Sequence, residues 1–130
     1  MLNDNNFYVF VVTNQSGIGR GYYSKRDVEK LHNLINCDLN KNLAHIDEFV
    51  FAPYYKNSKI KFKIKDRLMR KPNTGMIDYL CDKWNIVRDK SLIIGDKKSD
   101  RKLSFNCRIK YLNISQNIDL SAQLKKKFQL

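Results

Sequence analysis

A three-layer α/β fold, with a parallel sheet between helices on both faces, is predicted for this chain by three observations. Short apolar runs recur along it, amphipathic stretches of helical period separate them, and polar or glycine-rich residues follow the runs at their carboxyl ends. The first run, Phe7 to Val12, is continuous and too short for a helix, so it reads as a buried parallel strand. Ser24 with Asp27 three residues later resembles an N-cap. Val28, Leu31, Ile35 and Leu39 then recur at helical spacing, which predicts a crossover helix with those four side chains inward. Glu48 to Tyr54 returns as a strand. Pro72 to Trp84 reads as a helix with Met76, Leu80 and Trp84 inward. Ser91 to Gly95 is a third strand, a short helix begins near Ser99, and Ile109 to Ile114 is a fourth strand. With right-handed crossovers the order βαβαβαβ gives a Rossmann-like parallel sheet, its strand ends gathered along one edge. The tail from Ser115 to Leu130 is expected to dock as a helix.

The 130 residues, 42% of them hydrophobic, suffice for one domain, 1–130, with a modest core. No stretch approaches a membrane span, and Asn and Asp stand near the N-terminus where a signal peptide needs a basic and then an apolar run, so a soluble, cytoplasmic protein is expected. Cys37, Cys81 and Cys107 are widely spaced and odd in number, which fits reduced thiols in or near the core. The formal charge of +12, from 25 Lys and Arg against 13 Asp and Glu, favours anionic partners. It does not choose among nucleic acid, an anionic membrane and phosphorylated metabolites, and a solvated lysine-rich surface accounts for it equally. The densest basic run, Lys56 to Lys71, alternates Lys with Ile and Phe over part of its length, which suits a solvent-facing ribbon or flap as well as a binding groove.

The residues after the first strand, TNQSGIGRG, place Thr13, Asn14, Gln15 and Ser16 where α/β sheets bind ligands. Two phosphate loops are excluded. Tyr22 stands where G-x-G-x-x-G needs its third glycine, and no G-K-[ST] follows. A plain βα connection whose glycines only permit tight turning accounts for these residues too. Two further strand ends carry matching chemistry: Arg70 and Lys71 ahead of the second helix, and Asp96 with Asp100 in IIGDKKSD. A hydroxyl, a lysine and paired carboxylates are the parts of a magnesium-dependent phosphoryl-transfer site. The carboxylates suit Mg²⁺, Lys71 neutralises phosphoryl charge, and Thr13 with nearby N–H groups binds phosphoryl oxygens. Each residue alone has a plainer role, as a helix cap, a surface lysine or a turn hydroxyl.

In these motifs the chain resembles the haloacid dehalogenase (HAD) superfamily of phosphatases, in the branch containing histidinol phosphatase and heptose bisphosphate phosphatase. The resemblance runs from Phe7 to Ile114. VVTNQSGIGRG resembles the branch's second motif, RKPNTGM the third and IIGDKKSD the fourth. It implies that Thr13 is the phosphoryl-binding hydroxyl and Lys71 the motif lysine. Asn14, with Gln15 and Ser16, would contact substrate, and Arg70 the phosphate. Asp96 would be the magnesium ligand, supported by Asp100.

Two departures follow from the same comparison. The family's nucleophile lies in a D-x-D motif on an earlier strand, and none is present; Asp4 precedes the apolar run and so lies at the wrong end of the first strand. An N-terminal βα unit is therefore expected to be missing, and the chain alone to be inactive or to need a complementing N-terminal fragment or a homodimer. The zinc loop of many relatives is replaced by Ala52, Tyr54, Arg67 and Met69, so no zinc is expected. Near the fourth motif, Leu103 and Ser104 stand where small alanines are usual, and Arg108 where a glycine is usual. Three functions follow from the resemblance: a phosphatase of a small phosphorylated sugar, a polynucleotide 3′-phosphatase, whose relatives carry similar T-N-Q and R-K-P motifs without the zinc loop, or a non-catalytic phosphate-binding remnant.

Overall fold

The first strand starts later than its apolar run and continues into the polar residues. β1 is Phe10–Asn14, so Thr13 and Asn14 belong to the strand and not to the loop after it. Upstream, Asn3–Asn5 form a 3-10 turn, and the Asp47 carboxylate accepts the Val9 N–H at 2.7 Å, which fixes the entry to the strand. The structure is a computed structural model that describes residues 1–114 and 119–129. β1 pairs in parallel with β2 (Glu48–Ala52), Phe10 opposite Glu48 and Asn14 opposite Ala52. The residues between β1 and the next long helix include a short helix, α1 (Ser16–Gly19).

The long helix, α2 (Lys25–Asn40), begins at the expected capping box. The Ser24 hydroxyl accepts the Asp27 N–H, and the Asp27 carboxylate accepts the Ser24 N–H at 2.8 Å. Its inward face differs from the predicted one. Val28 and His32 are buried, whereas Leu31 is 53% and Ile35 38% exposed. The His32 ring stacks on Phe49 with centroids 4.2 Å apart, and this contact turns the helix about its axis relative to the apolar stripe. Phe49 and Phe51 alternate with Val50 and Ala52 along β2, so α2 covers one face of this strand pair. Met76 and Leu80 of α4 (Gly75–Trp84) pack on Val50 and Ala52 from the other face.

The four strands do not form the single sheet that was expected. β3 (Leu92–Gly95) pairs in parallel with β4 (Lys110–Asn113), Leu92 opposite Lys110, and among the described residues no ladder joins β3 to β1. Two parallel pairs result, bridged by side chains. α4 contributes Met76 and Leu80 to the core over β2. Its Ile77 joins a second core with Ile93, Leu103, Cys107 and Ile109, and Val12 of β1 packs against both. α4 is also tied to the start of β2, because the Tyr79 hydroxyl and the Trp84 indole N–H each donate to the Glu48 carboxylate at 2.6 Å.

The basic insert is not a ribbon. Its last third is a short, exposed helix, α3 (Ile64–Met69), entered where the Asp66 carboxylate accepts the Lys63 N–H at 2.9 Å; this local cap outweighs the alternating pattern. α5 (Lys98–Cys107) follows β3, buries Leu103 and Ser104, and ends at Arg108 in the left-handed region, φ 57°. Of the expected tail, α6 (Leu120–Phe128) is a helix that buries Leu124 and sets Phe128 4.6 Å from the Phe7 ring; residues 115–118 and 130 lie outside the described residues. The thiols divide, Cys107 buried, Cys81 half-buried and Cys37 exposed, so the expectation of core cysteines fails for Cys37. No described helix is long and apolar enough to cross a membrane.

Candidate functional site

The carboxyl end of β1 is joined to the residues ahead of α4 by a clamp. Asn14 Oδ1 accepts the Lys71 N–H at 2.9 Å, and Asn14 Nδ2 donates to the Lys71 carbonyl at 3.2 Å. A side-chain amide that both accepts from and donates to one residue's backbone fixes that residue's position and orientation. Asn14, expected to touch substrate, spends both ends of its side-chain amide on the Lys71 backbone. Asn106 of α5 donates to the Pro72 carbonyl at 2.9 Å and braces the same segment from the other strand pair.

Held in this way, the Lys71 side chain runs back along β1. Its ammonium donates to the Val12 carbonyl at 2.9 Å and to Asp100 Oδ1 at 2.7 Å. The pair is nearly enclosed, with side-chain exposures of 13% for Lys71 and 8% for Asp100. Asp100 Oδ2 accepts the Lys97 N–H at the start of α5. Asp100 therefore anchors Lys71 and caps α5 at once. Gly95 is required beside it, because a Cβ there would come within 2.6 Å of the Asp100 side chain.

Thr13 Oγ1 accepts from Gln15 Nε2 at 3.1 Å, and Gln15 Oε1 accepts from the Tyr23 hydroxyl at 2.6 Å. The Thr13 hydroxyl proton is left for a further acceptor. The glycines of this segment serve packing first: a Cβ at Gly17 would land in the Tyr23 ring, and one at Gly19 would lie 2.8 Å from the Pro53 carbonyl oxygen. Gly21, at φ 78°, supplies the one positive-φ turn among them. Tyr23 was missed in the sequence because nothing local marks a tyrosine eight residues on as the partner of Gln15. Arg20 has no local signal of a role among the glycines around it; its guanidinium lies 4.0 Å over the Tyr55 ring. Arg70 reaches the Tyr54 carbonyl at 3.4 Å, a long contact that leaves most of its guanidinium available.

Asp96 follows β3 directly and is exposed. Burial pushes the Tyr111 phenol up, and the carboxylates of Asp100 and Asp96 push it further; this hydroxyl donates to the Gly95 carbonyl at 2.8 Å. Among the described residues no group of three or more His, Cys, Asp and Glu side chains is placed to hold a metal ion. Mg²⁺ is commonly bound through one or two carboxylates, several waters and a substrate phosphate, and on that standard Asp96 fits as a single protein ligand. Asp100 is already engaged by Lys71.

The family model described as polynucleotide kinase 3 phosphatase matches residues 1–128. The chain is 38% identical over 99 residues to a D-glycero-beta-D-manno-heptose-1,7-bisphosphate 7-phosphatase of Rhodopseudomonas palustris, covering 76% of this chain and 55% of that one. It is 41% identical over 91 residues to a D-glycero-alpha-D-manno-heptose-1,7-bisphosphate 7-phosphatase of Burkholderia mallei, covering 69% and 48%. The chain thus spans about half the length of these curated relatives. Among solved structures, a D,D-heptose 1,7-bisphosphate phosphatase from B. bronchiseptica complexed with magnesium and phosphate superposes with a TM-score of 0.76 at 18% identity, over 98% of this chain and 78% of that one. At that identity the likeness concerns the fold.

Proposed function

The chain belongs to the polynucleotide kinase 3 phosphatase family of HAD-like phosphatases, and on that premise we propose that it forms the phosphoryl-binding part of a magnesium-dependent phosphatase acting on a small phosphorylated sugar of the heptose bisphosphate type. The observation that carries this reading is the Lys71 ammonium, held by the Val12 carbonyl and Asp100 while Asn14 fixes the Lys71 backbone, beside the strand end that carries Thr13. A cation fixed in a nearly enclosed site is already oriented toward charge that develops on a transferring phosphoryl group. The Thr13 hydroxyl donates to a phosphoryl oxygen, and Arg70 supplies a second cation. Gln15 and Ser16 line the same turn. Asp96 would hold Mg²⁺, which when bound offsets phosphoryl charge. The relatives' printed names support the sugar bisphosphate.

No carboxylate of this site is free to attack phosphorus in the manner of a covalent phosphatase. Asp100 is bonded to Lys71, Asp96 is assigned to the metal, and Asp4 pairs with the N-terminal ammonium ahead of β1. The chain by itself is therefore expected to bind phosphate without turnover. A polynucleotide 3′-phosphatase is the second reading, supported by the description of the matching family model and by the charge of +12. The test is calorimetric titration of the chain with inorganic phosphate and Mg²⁺, together with turnover assays on heptose bisphosphate and a 3′-phosphorylated oligonucleotide. Thr13→Val should weaken phosphate about tenfold, the worth of one hydrogen bond to a charged group. Phosphate binding unchanged in Thr13→Val would remove the proposed site, and turnover of the oligonucleotide alone would favour the second reading.

A further inference from the structure

β2 is the outer strand of its pair, and its register on β1 decides which backbone groups point outward. Asn14 stands opposite Ala52, and the Gln15 N–H donates to the Ala52 carbonyl, so Ala52 faces β1. Backbone groups alternate sides along a strand, which turns Val50 and Glu48 toward β1 as well and Phe49 and Phe51 away from it. Among the described residues no hydrogen bond engages the backbone N–H or C=O of Phe49 or Phe51. Edges of this kind are usually blunted by a lysine, a proline or a bulge. Here the one charged residue of the strand, Glu48, is held by Tyr79, Trp84 and Lys83, and Pro53 falls just past the strand's end.

An open groove of about 200 Å³ runs along this edge, lined by Glu48, Phe49, Val50, Phe51, Met69 and Tyr79. It is smaller than the roughly 300–1,000 Å³ of small-molecule pockets, so it suits the side chains of a strand laid on the edge better than a compact ligand. Its one carboxylate, Glu48, is met by the Lys83 ammonium at 3.0 Å. The surroundings are basic. Met69 ends α3, and Lys65 lies one turn before it on the same face. The stretch from Lys56 to Lys71 holds eight basic residues and one acid, Asp66, whose carboxylate accepts the Lys63 N–H. Lys63, Lys65 and Arg67 are exposed, and none of them is in an ion pair among the described residues.

We infer that the free edge of β2 is a docking site for an extended, acidic segment of another protein, which adds to β2 as a strand and lays apolar side chains in the groove. The backbone fixes the class of partner. Phe49 and Phe51 each offer a donor and an acceptor at strand spacing, a pattern that a polypeptide backbone matches and a phosphodiester, which only accepts, does not. Alternate side chains of the added strand enter the groove, and the others lie beside the half-buried Phe49 and Phe51 rings, so a run of β-branched and aromatic residues fits. Charge then selects the flanks, because Asp or Glu beside that run meets the unpaired Lys63, Lys65 and Arg67. A second copy of this chain would instead set one basic segment against another, with a formal +12 on each side. The docking site rests on no part of the phosphatase reading.

The test titrates the whole chain with a synthetic peptide of about five alternating valine and tyrosine residues between glutamates. Amide hydrogen exchange should be fast at Phe49 and Phe51 in the free chain and slow at Val50, which is bonded to β1. Peptide at about a hundred times its Kd should slow Phe49 and Phe51 by about a hundredfold. Raising the ionic strength from about 0.01 M to about 0.15 M should weaken the peptide about tenfold. Lys65→Glu combined with Arg67→Glu, both on the exposed side of a short helix, should weaken it by a similar factor and admit a lysine-flanked peptide in its place. The same peptide N-methylated along its run keeps its side chains but loses its donors, and should bind at least about tenfold more weakly. The site is overturned if Phe49 and Phe51 are already protected in the dilute free chain, or if the peptide fails to slow them. Affinity unchanged by charge reversal or by N-methylation would overturn it equally. Protection that grows with chain concentration in the absence of peptide would overturn it in favour of a second copy.

Discussion

Replacing Asp100 by alanine should cost this protein a large share of its stability, and the amount can be worked from the geometry. The carboxylate is 8% exposed and bonds a lysine that is 13% exposed, so its removal leaves an ammonium with only the Val12 carbonyl in an almost closed site. Breaking a buried pair on one side costs about 3–5 kcal/mol. The slight exposure of Lys71 and its spare donor admit some water, which favours the lower end of that range. Loss of the Lys97 N–H contact removes a helix cap worth about 1 kcal/mol, giving roughly 4 kcal/mol in all against a typical domain stability of about 5–15 kcal/mol. Asp100→Asn keeps the size but offers one oxygen where two are used, so about 1.5–3 kcal/mol is expected. Adding Lys71→Met to Asp100→Asn should cost nothing further, since it removes the stranded charge. Urea titrations followed by Trp84 fluorescence and far-ultraviolet circular dichroism give all three values. An Asp100→Ala variant within about 1 kcal/mol of the parent, or substitutions that add as independent sites, would refute the anchoring role.

Three further outcomes follow from other contacts. Asn14→Asp should lower the urea midpoint by the equivalent of about 1–3 kcal/mol, because its second oxygen would face the Lys71 carbonyl now 3.2 Å from Nδ2. An unchanged midpoint would mean that the clamp contributes nothing. Arg108→Gly should raise stability by about 0.5–1 kcal/mol, since φ 57° suits glycine better than arginine; a loss would show that the arginine side chain contributes more than its backbone strain costs. Burial holds the His32 imidazole below its ordinary value of 6.5, so the unfolded chain takes up a proton that the folded one resists. Its contribution is complete above pH 6.5 and is lost as pH falls from there through the folded value. Comparing midpoints at neutral and mildly acid pH should show that loss, and His32→Leu should flatten it.

Local chemistry was legible where neighbours in sequence act on one another. The Ser24 and Asp27 box, the apolar strand runs and the inward Met76 and Leu80 all depend on residues within a turn or a strand of each other. The rest was set from a distance. His32 reaches the core through Phe49, a partner on another element, and so displaces the Leu31 and Ile35 face. The strand pairing divides in two because ladders depend on which backbone edges meet, and side-chain pattern carries no record of that. That Lys71 approaches the end of β1 and Asp100 beyond β3 was readable from strand ends. The bonds that arrange them were not, since Asn14 and Lys71 are 57 positions apart and either could have been read as facing a ligand.

The Phe7 and Phe128 rings, 4.6 Å apart, also bear on the order in which this chain can fold as it is made. A ribosome adds about 5–20 residues per second, so Phe7 emerges roughly 6–24 s before the helix that covers it. During that interval β1 and β2 can pair and α2 can dock, because all their residues lie within the first 52. The aromatic patch at the start of the chain stays open to solvent, and to any factor that handles nascent chains, until the last helix arrives.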